Sequence, residues 1–574
     1  MKKLLLVILF LITVSSVFAS IDARFIERDS PLYAEMDALY ALSCLASPNT
    51  NRPWTESQAR LYLSKIDYDS LSDARKELYK SIEIEIEKGL RWEFDDGFSL
   101  SGGITFSNEI YTHTNSEFDR EEEWVRSWTD REPLIRLWGA VSSGSMFYTA
   151  ADILYRYGRA AMEDNYGLLK DIMTTDGYIG SYDLSDPEKT PYIISSKYFS
   201  EKLATNFFTN TQNFSFIWPR RAVFSFGGER WNVSFSRDRM KLGKSHIGSL
   251  LVDDHSDYTD SIRTTFFNKY FTYDWILLPL NTLTSHSEDP VEESRVYMIH
   301  TLDFRILDKV SLKISENVMW KYSNFDLGYL NPSFFYHNLN NRSMFNALAY
   351  IEVNASLFKG FTLYGQYAMD QARAPHEGDS QSDAWGMSVG GEYTFSLGKS
   401  VFTAYSEYLL TSPLLYRRDG VDFIKVSRYY HQGSDNDTYG HIPFFEYIGY
   451  RYGGDTSTLK TGVTYIYPSM AEAEFSVQLM EHGGMNIYKS HNKEGKNEGN
   501  ANIGGSTPTG DDVLRAIIIS LKGEVDFSSI LAWPGISLYG EADWIGLASF
   551  NKENKEYKDY MSDFQLSLGV SLAI

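Results

Sequence analysis

The sequence predicts a mainly β protein: an antiparallel outer-membrane β-barrel of about eighteen strands, preceded by a small periplasmic three-helix domain. Three observations predict it. Many segments alternate apolar and polar residues with period two, the mark of a strand with one greasy and one wet face. Their connections alternate between short and long, as tight periplasmic turns and long external loops do in a bacterial barrel. The chain is also rich in aromatics, with 40 Tyr, 35 Phe and 12 Trp making 15% of residues. Aromatic girdles at both membrane interfaces use such residues.

The first element is a leader. In "MKKLLLVILFLITVSSVFAS", Lys2 and Lys3 precede an apolar run from Leu4 to Thr13, and Val17 and Ala19 sit at small-residue positions before a cut after Ala19. Residues 1–19 read as a signal peptide, 20–91 as a periplasmic helical domain and 92–574 as the barrel with long external loops. Beyond the leader no apolar run is long enough for a membrane helix. The single cysteine, Cys44, excludes an internal disulfide and reads as a small buried apolar residue.

Three helices come next. Ser30-Pro31 opens one in which Leu32, Met36, Leu39 and Leu42 recur at helical spacing. Thr55 and Gln58 form a capping box before "ARLYLSKI". Ser70 and Asp73 start "DARKELYKSIEIEIEKG", which Gly89 ends.

From Trp92 onward, candidate strands fall at 98–106, 133–142, 145–157, 220–227, 230–236, 260–267, 270–280, 295–306, 310–319, 346–357, 361–370, 386–396, 401–410, 458–467, 471–481, 514–527, 536–548 and 562–574. Short turns such as "GGE" at 227–229, "LDK" at 307–309 and "LGK" at 397–399 alternate with long connections such as 158–219, 237–259, 320–345 and 411–457. The faces agree. Trp231, Val233 and Phe235 alternate with Asn232, Ser234 and Ser236, and Val310, Leu312 and Ile314 with Ser311, Lys313 and Ser315. The ending "DFQLSLGVSLAI" puts Phe564, Leu566, Leu568, Val570, Leu572 and Ile574 on one face. Such a strand closes a barrel, because an open edge in lipid leaves backbone groups unsatisfied. Many outer-membrane barrels end in an aromatic residue, and Ile574 departs from that habit. An even strand count places both termini in the periplasm.

Charge narrows the partners. The net charge of −22 offers no basic face for nucleic acid. "GMSVG" at 386–390 spells a nucleophile-elbow motif, but Ser388 falls within a strand rather than on a strand-to-helix turn. "GKS" at 243–245 and 398–400 lacks the upstream glycine of a phosphate loop. No catalytic constellation emerges, so the chain reads as non-enzymatic and without a cofactor. One cation site is worth stating: in "DNDTYGHIPFFE", Asp435, Asp437 and Glu446 take positions of a calcium loop, although Tyr439 replaces an oxygen ligand.

Two segments suit carbohydrate. The stretch from Trp320 through "KYSNFDLGYLNPSFFYHNLNNR" gathers Trp320, Tyr322, Tyr329, Phe335 and Tyr336 with Asn331, and aromatic faces beside amides hold sugar rings. It also suits an aromatic girdle. In "WNVSFSRDRMKLGKSHIG", Arg237, Asp238, Arg239, Lys241 and Lys244 run from a strand into a loop. The cluster suits an anionic glycan, or equally a charge network inside the lumen.

The segments "FSRDRMKLGKSHIGSLLVDD", "SIRTTFFNKYFTYDWILL", "SRVYMIHTLDFRI", "SENVMW", "YLNPSFFYHN" and "FTLYGQYAMDQ", in that order, resemble the capsule assembly protein Wzi family. The resemblance covers most of the chain, and Arg237 to Gly243 and Tyr329 to Pro332 are its recognisable stretches. It implies a barrel of about eighteen strands with a periplasmic helical bundle. It further implies a lectin that helps attach or organise capsular polysaccharide at the cell surface, with surface polysaccharide, outer-membrane lipid and the barrel-assembly machinery as partners. The competing reading is a diffusion porin, since a barrel of this size encloses a water-filled lumen unless plugged. The helical domain and the segment 158–219 are the candidate plugs.

Overall fold

The computed structural model describes residues 22–87, 91–94, 97–118, 123–158, 202–207, 215, 218–280, 294–322, 328, 331, 333, 344–371, 383–417, 421–432, 439–485, 487, 506–528 and 535–574. The leader expected at 1–19, most of the segment 158–219 and the expected helix end at Gly89 lie outside them.

Three helices lead the chain: α1 (Leu32–Leu42), α2 (Glu56–Leu63) and α3 (Asp73–Glu87). The Ser30 hydroxyl accepts from the Leu32 amide at 3.3 Å at the head of α1. The Thr55–Gln58 capping box forms in both directions at the head of α2. Leu32, Met36 and Leu39 of α1 pack with Trp54 and with Leu78, Ile82 and Ile86 of α3, and the same cluster reaches Val401 and Ile466 of the barrel. The helices therefore dock on one end of the barrel.

That barrel is closed and antiparallel, with eighteen strands. They are β1 (Phe98–His113), β2 (Ile135–Ser143), β3 (Phe147–Tyr155), β4 (Arg221–Gly228), β5 (Trp231–Asp238), β6 (Thr259–Phe267), β7 (Phe271–Leu280), β8 (Ser294–Ile306), β9 (Val310–Tyr322), β10 (Met344–Phe358), β11 (Phe361–Gln371), β12 (Ala384–Leu397), β13 (Ser400–Thr411), β14 (Thr456–Tyr467), β15 (Ala471–His482), β16 (Asp512–Asp526), β17 (Gly535–Asn551) and β18 (Glu556–Ala573). β18 pairs β1, with Leu568 opposite Ile110, and so shuts the seam. Leu568 points outward and is 54% exposed to the lipid side, while its neighbour Ser567 is 4% exposed and faces inward. The β8–β9 turn is tight because Leu307 and Asp308 both take positive φ, which matches the twist of its strands.

Several strands outrun the expectation. β1 continues to His113 and β18 begins at Glu556, because the backbone ladder carries on beyond the apolar band, where "NKEYKDY" no longer alternates. The connection 411–457 is not all loop. Ile424–Gln432 and Tyr439–Tyr447 form a separate hairpin. No described helix is long and apolar enough to cross a membrane.

Two of the described stretches enter the lumen from opposite ends and meet there. The α1–α2 connection dips in from the short-turn end, and the β5–β6 connection folds back from the long-loop end. They meet as a small antiparallel ladder, Asn51 opposite Leu242 and Arg52 opposite Lys241. Leu242, Leu250 and Leu251 are fully buried there with Ile276, Tyr297 and Leu348 of the wall. The segment 237–259 is therefore not an external loop. Its apolar residues find a core inside the barrel.

Candidate functional site

The interior of the barrel is a charge network built around those two stretches. From the short-turn side, Asn51 donates to Asp274 at 2.8 Å and Thr50 to Glu352 at 2.7 Å. Lys313 of β9 donates to Asn51 at 2.8 Å and lies 3.8 Å from Glu352. From the other side, Lys244 pairs with Glu392 at 2.5 Å, and the Ser245 hydroxyl donates to Glu407 at 2.6 Å. His246 stacks on Tyr405, ring centroids 3.8 Å apart and planes 4° apart. Each bond links the lumen segment to wall residues far away in sequence, so no linear motif announced Glu352, Glu392 or Glu407 as its anchors.

The basic cluster read from the sequence divides here. Arg237 is on the outward face and donates to the two carboxylate oxygens of Asp260 from Nε and Nη2, each at 2.8 Å. Asp238 faces inward and accepts from Arg221 at 3.0 Å. Arg239 is buried, 3.2 Å from Asp130 and 3.5 Å from Asp29. Lys241 lies 3.6 Å from both Asp253 and Asp254. Burial pushes the Asp253 carboxyl up, but Lys241 and then His255 outweigh it and hold it at about 2. Burial likewise raises Asp130, and the Arg239 guanidinium together with a hydrogen bond from the Ser127 hydroxyl and further arginines more than offsets it. The inward members thus form an ion-paired network in the lumen, with partners already in place.

The aromatic stretch divides as well. Trp320 sits on the outward face of β9, fully covered in an apolar cluster with Trp275, Val296 and Phe345. Asn331 is exposed, and its side-chain carbonyl accepts from the Ser333 amide at 3.0 Å. Tyr329, Phe335 and Tyr336 lie outside the described residues, as does the side chain of Tyr322. So do Asp435 and Asp437, whereas Glu446 is in the separate hairpin opposite Lys425. Tyr439–Tyr447 is an extended, paired strand rather than a loop wound about an ion. Among the described residues no three His, Cys, Asp or Glu side chains are grouped to hold a metal.

No protein-family model matches the chain, and no curated protein does. Solved structures do. Wzi of Escherichia coli, described as an outer membrane protein involved in Group 1 capsule assembly and as a carbohydrate-binding β-barrel, aligns with a TM-score of 0.54 at 12% identity, covering 96% of this chain and 99% of that one. The chain has a Wzi-like fold. OprD of Pseudomonas aeruginosa aligns with a TM-score of 0.37 at 8% identity, covering 85% of this chain and 97% of that one. OpdQ of the same bacterium aligns at 0.36 and 9%, covering 83% and 97%. The likeness to Wzi is one of strand layout and closure, carried at an identity too low for sequence matching to register.

Proposed function

We propose that this chain is a non-enzymatic outer-membrane lectin. It binds surface polysaccharide at its long-loop end and aids the assembly or attachment of capsule or exopolysaccharide. The observation that carries the reading is the lumen closed by the chain's own segments, which a protein built for free solute passage does not need. The Wzi-like fold supports carbohydrate as the ligand, because Wzi is described as carbohydrate-binding. On this reading residues 1–19 are a cleaved leader, the helices and both termini are periplasmic, and the barrel sits in outer-membrane lipid after folding by the barrel-assembly machinery. With Asp238, Arg239 and Lys241 engaged inside the barrel, sugar contact falls to the loop stretch with Asn331, Tyr329, Phe335 and Tyr336.

The test pairs two measurements on one purified protein: retention on immobilised surface polysaccharide and conductance in a planar bilayer. Retention with little conductance is expected, and Tyr329→Ala with Tyr336→Ala should weaken retention with little salt dependence. Porin-like conductance with no retention by the wild type would overturn the reading. One observation favours the second reading, a diffusion channel: near the short turns the inner wall of β15 and β16 is open, with Glu472 and Glu524 exposed and Lys522 54% exposed.

A further inference from the structure

Successive short turns from β4 to β13 each hold one cation. They are Arg230 between β4 and β5, Lys269 between β6 and β7, Lys309 between β8 and β9, Lys359 between β10 and β11, and Lys399 between β12 and β13. All of them are exposed. The remaining short turns, 144–146, 468–470 and 527–534, hold no Lys or Arg. On that side β15 and β16 bring Glu472, Glu524 and Asp526 to the rim instead. In a chain of net charge −22, the short-turn rim is thus basic along one arc and not along the rest.

The chain itself uses little of this charge. Arg230 shares its turn with Glu229, and Lys399 lies 3.3 Å from Glu77 in an exposed pair, a kind that contributes little. Asp308, beside Lys309, is engaged by Lys65 at 3.1 Å. Among the described residues no carboxylate lies within ion-pair distance of Lys269, Lys309 or Lys359. Aromatic rings fix the level of the arc. Phe226 and Trp231 flank its first turn, ring centroids 5.3 Å apart. Tyr270 and Phe271 stand exposed at the second, and Phe304 at the third. Phe358 stacks on Phe361 at 4.8 Å at the fourth, and Phe395 on Phe402 at 5.5 Å at the fifth. Rings of this kind lie at the membrane–water interface of a barrel. The turn cations, placed just beyond them, lie at the level of the lipid headgroups.

We propose that this arc is a docking surface for anionic phospholipid headgroups, gathered in the leaflet that meets the short turns. Its level selects a lipid surface over a soluble partner. A lysine stem covers apolar surface while its ammonium stays in the polar layer, and here the apolar surface is the girdle itself. The spacing suits a row of separate headgroups. Neighbouring turns are two strands apart, about 10 Å, so each lysine meets its own phosphate rather than one shared anion. Cations near an anionic lipid surface are attracted to it, and the attraction fades within a screening length. Because β14 to β18 and β1 to β3 lack turn cations, anionic lipid gathers on one flank of the barrel only.

The experiment reconstitutes the full chain in phosphatidylcholine vesicles. Electron spin resonance then measures how much spin-labelled phosphatidylglycerol, against spin-labelled phosphatidylcholine, is held at the barrel wall. A preference of about fivefold for the anionic lipid is expected at low salt, the factor that one lysine near an anionic surface supplies. It should vanish at about 1 M salt, where screening acts within about 3 Å. Lys269→Gln with Lys309→Gln and Lys359→Gln should bring the ratio close to one, and the same three changes to Arg should preserve it. Lys552→Gln with Lys555→Gln and Lys558→Gln, exposed at the β17–β18 connection, should change nothing. The heat-dependent gel shift checks that each variant is folded, and if the triple Gln variant is not, Lys309→Gln with Lys359→Gln decides. Equal retention of the two lipids by the wild type overturns the proposal. So does a preference that survives high salt, or an equal loss in the β17–β18 control, which would mark a general effect of net charge.

Discussion

At the scale of single residues, the barrel separates neighbours by face. Val463 is exposed on the outer side, and Thr464, next to it, faces inward in register with Glu474. Val463→Arg should cost about 2–4 kcal/mol of barrel stability, as cations on the lipid face do near mid-membrane. Thr464→Arg should cost far less, since its charge meets water and Glu474. Urea unfolding from lipid vesicles measures both, and equal losses would contradict the register. Lys313 makes a different case. It is buried against Glu352, Thr50 and Asn51, so Lys313→Met strands a carboxylate in the interior. A loss of about 3–5 kcal/mol is expected. Lys313→Met with Glu352→Gln should recover much of it in the same assay, because the buried charge is gone. Certain glycines show the limit of reading residues singly. Gly390, Gly462 and Gly569 lie under the rings of Tyr364, Tyr405 and Tyr539, with no room for a Cβ. In the sequence they look like weak points in strands, and only cross-strand register reveals the ring above each.

At the scale of elements, α1 is held to the barrel by a buried carboxyl. Glu35 accepts from the Ser81 hydroxyl at 2.7 Å and from the Ser469 amide, in the β14–β15 turn, at 3.3 Å. Burial pushes its carboxyl up to about 7 against those hydrogen bonds. A raised value means the folded state holds the proton more tightly. The resulting stability is fully present below the unfolded value of 4.5 and is lost as pH rises through about 7. The difference corresponds to roughly 3 kcal/mol. Helix docking, followed by Trp54 fluorescence during heating, should weaken between pH 5 and 8, and Glu35→Gln should flatten that dependence. Elements of this kind were legible in advance where a local rule governs them. The Thr55–Gln58 box, the Pro31 helix start and the period-two strands depend on neighbours a few residues away, and all appear in the structure. The β5–β6 connection was legible as to composition but not place. Its cations mark it as polar, whereas its burial is decided by Glu392 and Glu407 on strands far along the chain.

At the scale of the whole molecule, the described segments inside the lumen are held there by contacts with the wall. Replacing residues 243–249 with a short glycine linker removes the bonds to Glu392 and Glu407 and the stack on Tyr405. Conductance in a planar bilayer should rise from near baseline to porin-like steps, while the heat-dependent gel shift persists, because the wall ladders are untouched. Unchanged conductance would place the seal elsewhere. The ladder joining Asn51–Arg52 to Lys241–Leu242 has a mechanical consequence. It gives the two rims a second connection, running down the axis instead of around the wall. Tension applied to the helices passes through the α1–α2 connection into the segment that anchors the long-loop side, and is shared on the way with the wall strands that Thr50, Asn51, Lys244 and Ser245 hold. The barrel is thus a sleeve braced by an internal tie, which links through the interior two faces that the casing holds apart.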